Sequence, residues 1–289
     1  MNYKDFLAPA GKRINLSEID PNSTGNYRNK EEGLTDLAKS RTRIGELQDV
    51  LYAQNTQALL VVVQAMDAAG KDSLIKHVFS GVNPAGFDVT PFGVPTAEDL
   101  DRDFLRRATK ELPSRGKIGI FSRSYYEEVL VVRVHPEILS NSPLPENIKN
   151  DAKIWEQRFE DIRNFELYLS RNGITVLKFF LLTSKEEQKK QLMERIEDPA
   201  KHWKFSFGDL ADRARWDDYM RAYEKTFAAT STEFAPWYIV PGNKRWFTRA
   251  AIAKIVADKL ESLDLKFPTV SDKQKQQIEE ARKILENEK

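Results

Sequence analysis

Hydrophobic positions along the chain carry two signatures in alternation. Short runs at 58–63, 117–121, 174–182 and 237–240 are nearly free of polar interruption, rich in β-branched and aromatic residues, and too short to span a bilayer. They predict strands buried on both faces. Between them apolar residues recur at helical spacing. In 32–54 the face is Leu34, Leu37, Ala38, Ile44, Leu47, Leu51 and Tyr52; after Gly70 it is Leu74, Ile75, Val78 and Phe79; in 151–172 it is Trp155, Phe159, Ile162, Phe165 and Leu169. Gly86 to Phe92 reads as another short strand, and Thr96-Ala-Glu-Asp99 as a capping box opening a helix that runs to Leu112. Ser184-Lys-Glu-Glu187 opens a helix to about residue 197, and further helices are expected over 210–229, 245–263 and 271–289. Strand and helix in turn predict an α/β protein with a doubly wound parallel sheet.

The arrangement divides the chain into three parts. Residues 1–31, with Pro9, Gly11, Pro21 and Gly25, hold no sustained period and are expected to form an irregular arm. Residues 32–265 form one domain, and 266–289 a charged helical tail beyond the Pro268 break. The helix over 32–54 is expected to pack on the core or on a partner subunit.

The stretch 58–79 carries the first chemistry. A buried strand ends in small residues, Ala65-Met-Asp67-Ala68-Ala69-Gly70-Lys71-Asp72, and a helix begins at once. Small side chains let backbone N–H groups wrap an anion at a helix start, where the dipole favours negative charge. Lys71 adds a mobile cation. Set against G-x-x-x-x-G-K-[ST], Ala65 stands at the first glycine and Asp72 at the hydroxyl residue, so Asp67 is the candidate oxygen ligand for a metal. The loop alone leaves a plain tight turn open as the alternative.

Ligands gather beyond the carboxyl ends of parallel strands, so the Ser122-Arg123-Ser-Tyr-Tyr-Glu127-Glu segment after the third strand is expected to face this loop. His135 reads as structural. Arg102, Arg106, Arg107 and Lys110 form either a solvated face or a polyanion-binding one. Around 195–215 a helix breaks at Asp198-Pro199, and Lys201-His-Trp203-Lys204-Phe-Ser-Phe207 follows. Its cations and aromatics suit either a lid over a phosphate site or an ordinary loop.

Charge and composition narrow the classes. The 289-residue chain has 45 basic and 44 acidic residues, a net +1, so no global field favours nucleic acid or an anionic membrane. With no cysteine and three histidines, disulfide frameworks and thiolate zinc sites are excluded and a His-rich metal site is disfavoured. The start lacks an apolar signal core, and a cytoplasmic location is the expectation.

Taken together, the 65–72 loop, Gly119-Ile-Phe-Ser-Arg123-Ser-Tyr-Tyr-Glu127-Glu-Val-Leu, Asp198-Pro-Ala-Lys-His-Trp-Lys204-Phe-Ser, Trp216-Asp-Asp-Tyr219 and Ala235-Pro-Trp-Tyr238 closely resemble the polyphosphate kinase 2 family over roughly residues 30–265, in the same order. The resemblance implies a three-layer P-loop kinase fold related to thymidylate kinase, with a central parallel sheet, helices on both faces and a helical lid. It implies Mg²⁺-dependent phosphoryl transfer between inorganic polyphosphate and AMP, ADP or other nucleoside mono- or diphosphates, by a homo-oligomer. By position, Asp67, Lys71, Arg123 and Glu127 resemble the catalytic set. Ala68, Ala69, Gly70, Lys71, Asp72, Lys76, Arg133, Lys201 and Lys204 resemble the phosphate-binding set. Ser122 departs from the Asp or Asn common in the family, leaving the metal to Asp67 alone or with Ser122 through a water. Glu127 resembles the subgroup that accepts monophosphates as well as diphosphates. An ATP-dependent nucleotide kinase on the same fold and a weakly active binding module are the competing readings.

Overall fold

The structure, a computed structural model, describes residues 3–288. Five strands form one all-parallel sheet in the order β2-β3-β1-β4-β5: β1 Ala58–Gln64, β2 Phe87–Pro91, β3 Ile118–Ser122, β4 Ile174–Leu182 and β5 Trp237–Pro241. The main helices are α1 Lys30–Gln54, α2 Lys71–Val78, α3 Ile154–Arg171, α4 Lys185–Glu197, α5 Gly208–Ala214, α6 Trp216–Thr230, α7 Arg245–Glu261 and α8 Asp272–Glu286.

Strand β1 lies at the centre because every one of its residues is apolar or internally bonded. Leu59, Val61 and Val63 point into a core with α1, α2 and α7, while Leu60 and Val62 point into another with α3 and α6. Register pairs Val63 with Ser122 on one side and Phe179 on the other, so β1, β3 and β4 end along one edge. That edge receives the site.

Several expectations are corrected. In α1 the buried face is Gly33, Leu37, Ser40, Ile44, Leu47, Gln48 and Leu51, whereas Leu34 and Tyr52 are 43% and 48% exposed and Ala38 is also exposed. This helix packs on α7 within the chain, and Gly33 sits where an added Cβ would meet the Trp246 ring at 2.4 Å. The single helix expected after Thr96 is two short ones, Ala97–Leu100 and Arg106–Lys110. The Thr96–Asp99 capping box is present, but the Asp103 carboxylate accepts from Leu105 N at 3.0 Å and starts a new turn. The helix expected over 210–229 is likewise divided into α5 and α6, with Arg215 N bonded back to Asp212 O. The N-terminal arm is irregular but stitched down: Leu7 bridges Tyr238, Ala8 N donates to Trp237 O at 2.8 Å, and Ala8, Leu16 and Tyr27 are buried. Among the described residues no helix is long and apolar enough to cross a membrane.

Candidate active site

Beyond the end of β1 the chain turns through Ala65–Ala69 into α2. Gly70 takes a φ of +94°, in the region where a Cβ is strained, and Ala68 enters the left-handed region at +63°. With no side chain to cap α2, the loop leaves its first N–H groups facing outward. Lys71 folds back over the loop, its ammonium 3.0 Å from Ala65 O and 3.3 Å from Met66 O. Burial lowers the Lys71 pKa, opposed chiefly by Asp67.

Arg123 follows β3 directly. Its backbone also enters the left-handed region, at +65°, and its N–H donates to Val63 O at 3.0 Å, tying β3 to β1 where both strands end. The guanidinium pairs with Asp67. Burial works against charge on both partners. Lys71 and Arg123 nevertheless hold the Asp67 pKa below the usual carboxylate value, while Asp67 and Glu127 hold that of Arg123 up. Glu127 behaves oppositely: burial raises its pKa more than Arg123 and Lys71 lower it.

These groups open onto a cavity of about 410 Å³. Six cations line it, Lys71, Arg123, Arg195, Lys201, Lys204 and Arg245, against the carboxylates of Asp67, Asp72 and Glu194. A chain of almost zero net charge thus concentrates positive charge at one place, which suits a multiply charged anion. Ala68, Gly70, Ser73, Phe92 and Ser122 complete much of the wall. A smaller cavity of about 20 Å³ behind it is lined by Asp67, Arg123, Glu127, Asp212, Tyr219 and Tyr223 among others.

The expected residues are therefore largely, though not wholly, brought together. Asp67, Ala68, Gly70, Lys71, Asp72, Ser122, Arg123, Lys201 and Lys204 share the large cavity, and Glu127 shares the small one with Asp67 and Arg123. Ala69 is a buried member of the loop. Lys76 is exposed on α2 and Arg133 lies elsewhere; neither lines the cavity. The Arg133 guanidinium instead covers Trp155 and Phe159, 5.3 and 5.7 Å from the ring centroids. His135 is a structural link: its Nε2 is 2.7 Å from Asp212 Oδ1.

Three residues of the site went unrecognised in the sequence. Gln188, fully buried on α4, donates to Asp67 O at 3.1 Å and accepts from Arg213 at 2.9 Å, joining the loop to α5. Arg195 pairs with Asp209 at 2.7 Å, and Arg245 with Gln191. Arg245 opens α7 just past the end of β5, a position the strand-end rule could have flagged.

The segment that follows α4 contributes Lys201 and Lys204 to the wall of this cavity. Lys204 reaches Asp72 at 3.4 Å, while Trp203 and Phe207 are 79% and 77% exposed, apolar surface available to an incoming ligand. The residues fit a hard divalent cation such as Mg²⁺: one ionised carboxylate, Asp67, and the Ser122 hydroxyl face a cavity where phosphate oxygens and water would supply the remaining ligands.

A glycine-turned loop at the head of a helix, on the carboxyl edge of an all-parallel sheet and ringed by cations, defines a P-loop kinase fold. The family model described as polyphosphate kinase 2 matches residues 27–268, and the chain belongs to that family. It is 43% identical over 98% of both chains to the ADP-polyphosphate phosphotransferase of Rhodopseudomonas palustris. It is 44% identical to the AMP/ADP-polyphosphate phosphotransferase of Meiothermus ruber, over 93% of this chain and 98% of that one. The crystal structure of polyphosphate kinase 2 from Arthrobacter aurescens TC1 superposes with a TM-score of 0.82 at 41% identity, covering 92% of this chain and 94% of that one.

Proposed function

We propose that the protein is a polyphosphate:nucleotide phosphotransferase that moves a phosphoryl group between inorganic polyphosphate and AMP or ADP. The observation that carries this is the single cavity in which Asp67, Lys71, Arg123 and the lid lysines converge. The attacking group is a nucleotide phosphate oxygen, already ionised at neutral pH, so no general base is required. The work left to the protein is alignment and neutralisation of charge spread over the transferred group.

In this account the 68–71 backbone seats phosphate oxygens and Lys71 leaves its two carbonyl partners to meet them. Arg123 bridges Asp67 and the transferred phosphoryl group, and Lys201 and Lys204 close from the lid, with Arg195 and Arg245 lining the same cavity. Mg²⁺, when bound, would neutralise phosphate charge and bring its oxygens into line, with Asp67, directly or with Ser122 through a water, as its protein anchor. Glu127 would sense the acceptor end, a role supported by its sharing a small cavity with Arg123, Tyr219 and Tyr223 and in keeping with use of monophosphates as well as diphosphates. We also infer a cytoplasmic site of action, in line with the composition, and a homo-oligomeric state, which rests on the family resemblance. Light scattering on the purified chain tests the latter.

The test of function is an incubation of polyphosphate with AMP or ADP and Mg²⁺, with product nucleotides resolved. ADP and ATP are expected, respectively. Product only in an ATP-plus-AMP control would identify an ATP-dependent nucleotide kinase, and binding without turnover a binding module.

A further inference from the structure

Beneath the Arg123–Glu127 turn lies a charged cluster that neither cavity touches. Lys178 on β4 and Glu166 on α3 are both 0% exposed, and the ammonium lies 2.6 Å from Glu166 Oε2. Lys178 also donates to Tyr126 Oη at 2.9 Å and to Thr230 O at 2.8 Å, using its three donors. The other carboxylate oxygen of Glu166 accepts from the hydroxyls of Tyr125 and Tyr126, both at 2.8 Å. Trp237 Nε1 donates to Thr230 Oγ1 at 3.0 Å, so the cluster joins the turn to α3, β4, α6 and β5.

Such a pair is a weak source of stability, because apolar residues of similar volume often replace a buried ion pair without loss. What it does determine is direction. Tyr125 and Tyr126 stand between the two site residues, Arg123 and Glu127. The left-handed backbone at Arg123 persists only if its surroundings over-determine it. Upstream, Val63 O and the Gln64–Ser124 bond of 3.1 Å hold the turn. Downstream, the two tyrosine hydroxyls hold it, and both end on Glu166. Burial brings the Lys178 pKa down, against the pull of Glu166.

We infer that Lys178 and Glu166 are positioning residues for the transfer chemistry: acting through Tyr125 and Tyr126, they aim Arg123 and Glu127 at Asp67 and the reacting phosphate. This rests on reading the cavity as the polyphosphate site. Neither residue touches substrate, so their loss should move kcat and spare the KM for polyphosphate.

The experiment compares the parent with Tyr125→Phe and with the apolar pair Lys178→Met/Glu166→Leu, in ADP phosphorylation by polyphosphate and in thermal melting. Tyr125→Phe keeps the ring and removes one tether. The double variant is expected to fold and to lose about 10- to 100-fold in kcat, the scale of a small misplacement at a reacting centre, with KM for polyphosphate within about twofold. Tyr125→Phe is expected to lose several-fold in kcat while its melting temperature falls by only a few degrees. A folded double variant with parental kcat overturns the inference; if that variant does not fold, parental kcat in Tyr125→Phe overturns it. A parent inactive on polyphosphate sinks the functional reading and this inference with it, whereas an active parent with unaltered variants sinks this inference alone.

Discussion

Replacing Lys71 by alanine separates chemistry from fold at this site. The ammonium is held 3.0 and 3.3 Å from two loop carbonyls, poised over the cavity that also exposes Asp67 and Arg123. Deleting one pre-aimed charge-stabilising group typically costs about 2.7–4 kcal/mol in the transition state. At about 1.36 kcal/mol per decade, kcat is expected to fall roughly 100- to 1000-fold. Stability responds differently. Two hydrogen bonds are lost, each worth about 0.5–1.5 kcal/mol net. Against this, the lowered pKa shows that the fold disfavours the Lys71 charge relative to the unfolded chain, so removing it returns part of that loss. A net change near 1 kcal/mol would shift Tm by about 1.5–2 °C in a chain of this size. Initial rates with polyphosphate and ADP, beside a melting curve, read both quantities. Parental kcat would remove Lys71 from the mechanism, and collapse of the melting transition would make it a residue of the fold.

Other perturbations probe separate parts of the account. Gly70→Ala meets only ordinary contact, Arg245 Nε at 3.6 Å from the new Cβ, so its cost is the strained φ of +94°. That strain should destabilise by about 1–2 kcal/mol and weaken polyphosphate binding; an unchanged melt would show the loop relaxing freely. Glu127→Asn should impair AMP use more than ADP use, and equal loss on both would end the idea that Glu127 reads the acceptor. The pH dependence of stability has two opposed parts. Glu127 has a raised pKa, so its contribution is fully present below its ordinary value of 4.5 and is lost as pH rises through the folded value. Asp67 has a lowered pKa, so its contribution is present above 3.8 and is lost as pH falls through the folded value. Glu127→Gln should therefore melt higher than the parent at neutral pH, and the advantage should shrink on acidification; an advantage constant with pH would contradict the assignment.

Much of this architecture was legible in the sequence because it rests on burial. Strands β1 and β4 are uninterrupted apolar runs, and a run buried on both faces in a chain of alternating helices has few other readings. The face of α1 was legible only in part: Leu37, Ile44, Leu47 and Leu51 are buried as expected, but Gly33, whose smallness admits the Trp246 ring of α7, carries no hydrophobic signal. The breaks at Asp103 and Arg215 arise from single hydrogen bonds that helical periodicity does not weigh. At the site, Arg123 was visible because it follows β3 directly, and Lys71 because it follows Gly70 at the end of a small-residue loop that opens α2. Arg195 and Gln188 were not, since a polar residue on a helix reads as solvated until the fold places it over the loop. Arg133 shows the converse: a cation read as phosphate-directed has its guanidinium spread over Trp155 and Phe159.

The central claim is that one pocket grips a string of phosphates, and a crystal structure of the chain with a short polyphosphate and Mg²⁺ tests it most directly. The account predicts phosphate oxygens on the 68–71 backbone, Lys71 turned away from Ala65 and Met66 to meet them, and Arg123 and the lid lysines within hydrogen-bonding reach. Phosphates seated on another surface, with Lys71 still bonded to its own loop, would contradict it.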